Sequence, residues 1–192
     1  MTSAPPPAAV PGPVTAAPTE PGALLLTGTV GAGKSTTADH VGELLAERGV
    51  PHAVVDLDEL RRSWPAPPGD PFQQDLELEN LRAVAGVYRR RGAARLVLAG
   101  VLEDRAARAA YAEAVGVPLT VCRLRLDVPA VRDRLDLRHA GYPSVLAWHR
   151  HRAGELHAIL EDARVEDAVV DVDGLAPAEV AAAVLRAVGW DA

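Results

Sequence analysis

Lysine is almost absent from this chain of 192 residues: Lys34 stands alone, and the other nineteen basic residues are arginines. Cysteine is as scarce. The single Cys122 excludes a disulfide framework and a cysteine metal site, and its apolar neighbours mark it as core. No apolar run approaches the length of a membrane span, and the start lacks the basic and apolar stretches of a secretory leader. Positive charge is not in excess. A formal net charge of −6 and a pI near 5.5 give no electrostatic reason to expect nucleic acid as a partner. These absences lead us to expect a cytoplasmic protein without a membrane or nucleic-acid partner, in one domain with a proper core.

The lone lysine sits in Gly28-Thr29-Val30-Gly31-Ala32-Gly33-Lys34-Ser35-Thr36, which fits G-x-x-x-x-G-K-[ST], the phosphate-binding P-loop pattern. Ala23-Leu24-Leu25-Leu26 before it is short enough for a buried strand. Behind it, Thr37 to Arg48 carries Ala38, Val41, Leu44 and Leu45 at helical spacing and stops at Gly49. Strand, loop and helix are the context in which such a motif binds phosphate. Glycines let the backbone wrap an oxyanion, consecutive N–H groups point at its oxygens, and the helix dipole adds to the field. Lys34 is expected to reach the β/γ-phosphates of ATP and Ser35 to ligate Mg²⁺.

Short apolar runs alternate with amphipathic stretches along the rest of the chain. The runs are Ala23–Thr27, His52–Asp56, Arg95–Ala99, Leu119–Leu126 and Ala168–Val172. Alternation of this kind predicts βαβ units, hence a doubly wound α/β domain with a five-stranded parallel sheet over residues 21–192. Residues 1–20, rich in proline and small residues, are expected to form a disordered tail. Trp64 to Pro71 is a proline-rich loop, and Val131 to Asp162 a long polar-basic helical region.

Ligands of an open parallel sheet lie beyond the carboxyl ends of its strands. The second strand ends in Val54-Val55-Asp56-Leu57-Asp58, followed by Glu59-Leu60-Arg61. Phosphoryl transfer needs a held Mg²⁺ and a carboxylate that positions the attacking hydroxyl. Asp58 is the candidate base, Asp56 a candidate for indirect Mg²⁺ support or substrate binding, and Arg61 for holding an anionic or polar acceptor. Asp58 could equally cap a helix running from Glu59 to Ser63.

The P-loop, then Asp56-x-Asp58-x-x-Arg61, then Glu79-Asn80-Leu81-Arg82 on the next helix, resembles the adenylylsulfate kinase family over about residues 23–100. The resemblance implies a catalytic role for Asp58 and an acceptor pocket lined by Arg61, Asn80 and Arg82. The chain departs from the family pattern at Leu57 (glycine there), at Glu59 (asparagine there), and at Ala99-Gly100-Val101-Leu102, which replaces a serine-containing segment. Gluconate kinases and chloramphenicol phosphotransferases have a similar layout. The third strand lacks a terminal aspartate, which argues against a motor-type ATPase.

After the fourth strand, Asp127-Val128-Pro129 reads as a helix start. Arg134 and Arg138, four apart on one face, are expected to belong to a lid over about 128–162 that closes on the nucleotide and stabilises charge on the transferred group. Trp148 and Leu156 are expected to turn toward the domain. The final helix, Pro177 to Val188, packs the sheet. The resulting expectation is an ATP- and Mg²⁺-dependent kinase acting on the hydroxyl of a small molecule, as monomer or homodimer. The alternatives are a nucleotide-binding regulatory NTPase and a polynucleotide 5′-kinase.

Overall fold

The computed structural model describes residues 20–127, 131, 136, 141 and 143–191. The elements are β1 (Gly22–Thr27), α1 (Lys34–Glu47), β2 (His52–Asp56), α2 (Leu57–Leu60), α3 (Gln74–Arg90), β3 (Arg95–Ala99), α4 (Arg105–Val115), β4 (Leu119–Arg125), α5 (Pro143–Ala163), β5 (Ala168–Asp171) and α6 (Pro177–Ala187). The five strands form one sheet in the order β2-β3-β1-β4-β5, and every pairing is parallel. That is the doubly wound architecture expected. The tail, except Glu20, lies outside the described residues, as do Pro129, Arg134 and Arg138.

Period-two alternation assigns the core to two layers. Leu24, Leu26, Val97, Cys122 and Leu124 face α1 and α6, while Ala23, Leu25, Leu96, Leu98 and Val121 face α3 and α4. Burying Leu24, Leu25 and Leu26 completely contributes about 2 kcal/mol each. Cys122 lies in this core, where burial pushes its thiol up to about 12.

Local chemistry moves some boundaries. α1 begins at Lys34, three residues before the expected start, because Gly33 (φ 91°, ψ 24°) takes the left-handed conformation as its N-cap. α2 also starts earlier, at Leu57, since Asp56 rather than Asp58 is its cap: Asp56 Oδ1 accepts from the Asp58 N–H at 3.0 Å. β4 and β5 end one residue short of expectation. On α5, Leu156 is buried as anticipated, but Trp148 is 53% exposed and does not turn into the domain.

Candidate active site

β1 lies between β3 and β4, so chain connections diverge to either side of it and open a crevice beyond its end. The P-loop fills that position. Gly28, at φ 149°, lies so close to β4 that a Cβ there would stand 2.6 Å from the Leu124 carbonyl oxygen. α1 has no side-chain cap and no acid in its first turn, which leaves its N-terminal field for an outside anion. Lys34 Nζ lies along the loop, donating to the Gly28 and Thr29 carbonyls at 3.1 Å each. Val30 packs on the α1-side core and Ala32 is buried. Thr29 is buried as well, and its hydroxyl donates to the Ala153 carbonyl of α5 at 3.0 Å, tying loop to helix.

The acceptor strand meets the P-loop directly. Ser35 Oγ donates to Asp56 Oδ2 at 2.6 Å, while the other Asp56 oxygen caps α2. One turn on, Asp58 pairs with Arg61, and Arg61 Nη1 also lies 3.2 Å from Glu77 Oε2. Glu77 is 1% exposed and accepts from the Tyr111 hydroxyl, itself buried. Burial pushes the Glu77 carboxyl above the usual carboxylate range, and the Tyr111 bond and Arg61 partly oppose it. Burial and then Glu77 push the Tyr111 hydroxyl up in turn. For Arg61, burial works against the charge, but Asp58 and Glu77 outweigh it and raise the guanidinium.

The other residues of the sequence-derived set divide. Asn80 reaches α2, where Nδ2 donates to the Leu60 carbonyl at 2.7 Å. Arg82 does not join this group; it lies 3.4 Å from Glu113 on α4. Leu57 fills space that Gly100 leaves open, a Cβ at Gly100 falling 2.5 Å from Leu57 Cδ1. Sequence reasoning missed Glu77 and Tyr111, and also Arg152 of α5, which pairs with Glu103 and sits 5.3 Å over the Phe72 ring.

The donor set suits a hydrated magnesium nucleotide. Mg²⁺ prefers one or two hard protein oxygens, keeping water and phosphate for the rest. Ser35 Oγ and Asp56 Oδ2 offer such oxygens beside an uncapped helix N-terminus, and among the described residues no group of three or more His, Cys, Asp or Glu forms a closed metal cage.

A glycine-cradled helix start facing strand-end carboxylates on this sheet is the arrangement of P-loop kinases. The profile described as adenylylsulphate kinase matches residues 20–136, and the chain belongs to that family. Comparison with curated protein sequences gave no match. Among solved structures, a gluconokinase from Sinorhizobium meliloti is 22% identical with a TM-score of 0.60, covering 90% of this chain and 94% of its own. An APS kinase of Mycobacterium tuberculosis, solved with AMPPNP and APS, is 20% identical with a TM-score of 0.55, covering 90% and 99%. Shikimate kinase from Acinetobacter baumannii, solved with shikimate, is 20% identical with a TM-score of 0.58, covering 88% and 93%. At such identities these three share the fold with this chain.

Proposed function

We propose that the protein transfers the γ-phosphoryl group of Mg-ATP to a hydroxyl of a small molecule. The observation that carries this reading is the 2.6 Å contact between Ser35 and Asp56, which brings the phosphate loop and the acceptor strand to one point. The P-loop from Gly28 to Thr36 would hold the phosphates, with Lys34 swinging from the loop carbonyls to the β/γ oxygens. Ser35 and Asp56 would hold Mg²⁺, which when bound offsets charge on the transferred group. Asp58 accepts the proton of the acceptor hydroxyl as its oxygen bonds to the γ-phosphorus, and the bond to the β–γ bridging oxygen breaks to release ADP. Arg61 orients Asp58 and the polar edge of the acceptor, and Asn80 steadies α2 beneath them. Arg134 and Arg138, as lid residues, would stabilise charge on the group in transit.

The test is ADP release from Mg-ATP against a panel of hydroxyl compounds, with Lys34→Ala as control. One acceptor should raise turnover well above the blank, the control should be silent, and Asp58→Asn should lower turnover by about 10²–10⁴. Full acceptor-dependent turnover in Asp58→Asn would remove Asp58 from the role of base. Conformational change on ATP binding, with no response to any acceptor, would favour a regulatory module.

A further inference from the structure

Three parts of the chain converge on Arg152. It stands on α5 next to Ala153, whose carbonyl accepts from the Thr29 hydroxyl at 3.0 Å, so its backbone is fixed against the P-loop. Its guanidinium pairs with Glu103, just beyond β3, and lies 5.3 Å from the centre of the Phe72 ring. Phe72 in turn accepts from Arg61 Nη1 through its carbonyl at 3.4 Å, and Arg61 pairs with Asp58. A single residue, Phe72, therefore lies between Arg152 and the arginine that holds the candidate base.

What holds Arg152 is weak for so covered a cation. Its side chain is 18% exposed, yet among the described residues its carboxylates are Glu103, 39% exposed, and Glu155, 45% exposed. Each is met through one nitrogen, and the Glu155 bond is long at 3.4 Å. Arg125 shows the stronger arrangement, gripping Asp171 with Nε and Nη2 at 2.5 and 2.8 Å. Neither Glu103 nor Glu155 fills the fork of Arg152 in that way. Either carboxylate can return to water at little cost, and Glu155 also has His151 at 3.1 Å.

We propose that Arg152 is a specificity-determining residue of the acceptor site. It gives up Glu103 and Glu155 to grip, with two bonds at once, an anionic group carried by the acceptor whose hydroxyl lies at Asp58. The proposal rests on the kinase reading and adds to it a residue and a mode of action. The Phe72 contact acts through the charge of the guanidinium and leaves its N–H donors available. A two-bond fork onto carboxylate, sulfate or phosphate oxygens is stronger and more directional than the single bonds it replaces. Glu103 is then a placeholder, which keeps the cation paired in the empty site and competes with the incoming anion for it.

The probe is sulfate, titrated by calorimetry at constant ionic strength into protein holding Mg²⁺ and a non-hydrolysable ATP analogue, so that the P-loop is already filled. Wild type should bind sulfate saturably. Arg152→Ala should weaken that binding about tenfold or more, as expected for a lost bond between charged partners. Glu103→Gln, which removes the competitor and keeps the shape, should tighten it several-fold. A purely structural pair would behave otherwise, because both substitutions break the same contact and would shift binding in the same direction. No sulfate binding in wild type, no loss in Arg152→Ala, or no gain in Glu103→Gln overturns the proposal. Should Arg152→Ala not fold, Glu103→Gln decides: tighter sulfate binding upholds the proposal, and unchanged or weaker binding overturns it. Failure of wild type to bind the analogue sinks the kinase reading and this inference with it. A nucleotide that binds while sulfate behaves contrary to expectation sinks the inference alone.

Discussion

Removing the Tyr111 hydroxyl should destabilise the domain, and more so at higher pH than in acid. The hydroxyl donates to Glu77 Oε1 in a setting where both residues are at most 3% exposed, so no water replaces it in Tyr111→Phe. A hydrogen bond to a charged group contributes about 1.5–3 kcal/mol. For a domain of this size that lowers Tm by about 3–12 °C. The pH dependence follows from Glu77, whose folded-state pKa lies above its unfolded value chiefly through burial. Stability linked to such a group is fully present below the unfolded pKa and is lost as pH rises through the folded one. Tyr111 lowers the folded value, so Phe raises it further and the variant loses more over that interval. The two proteins should differ by only about 1 kcal/mol near pH 4, where the bond joins neutral partners, and by the larger amount once the pH has risen past the folded-state value of Glu77. Urea unfolding followed by circular dichroism on either side of that value measures this. A difference that stays the same on both sides, or vanishes on the upper one, would refute the account of Glu77 as a buried, charged acceptor.

Two further perturbations address packing around the site. Thr29→Val removes the second donor to the Ala153 carbonyl, which keeps its partner within the helix, and should cost about 0.5–1.5 kcal/mol and speed amide exchange in α5; unchanged exchange there would show that the loop does not anchor the helix. Gly100→Ala should cost about 1–3 kcal/mol by pressing on Leu57, and Leu57→Ala about 2–5 kcal/mol by opening a cavity. The double variant should recover at least about 1 kcal/mol relative to their sum, and strict additivity would show that the two positions do not share that space.

What could be read in the sequence was what the backbone itself demands. A phosphate cradle needs glycine where φ is positive, and Gly31 and Gly33, at φ 82° and 91°, fall where the motif puts them. The strands were legible because a sheet covered on both faces buries every residue of β1. The start of α2 was misplaced because Asp56 and Asp58 are equally good caps in one dimension, and only the 3.0 Å bond to the Asp58 N–H separates them. Glu77 looked like one acid among several, since its partners are sixteen residues back and thirty-four ahead. A signal was nevertheless present. Glu77 stands in line with Leu81 and Ala85 on the buried stripe of α3, where a charge needs a partner. Trp148 misled in the opposite sense, because hydrophobic character alone does not say which side of a helix is covered.

α2 is a single turn, four residues long, and a helix of that length has no stability of its own in water. Its first residue, Leu57, is locked over Gly100, its cap is the Asp56 side chain, and its last carbonyl is taken by Asn80. The turn is therefore a bracket clamped at both ends by the sheet and by α3. The consequence is one of timing: the entropy of fixing the Asp56 and Asp58 backbone is spent when the chain folds, so an arriving acceptor finds the carboxylates already aimed and spends none of its binding energy aiming them.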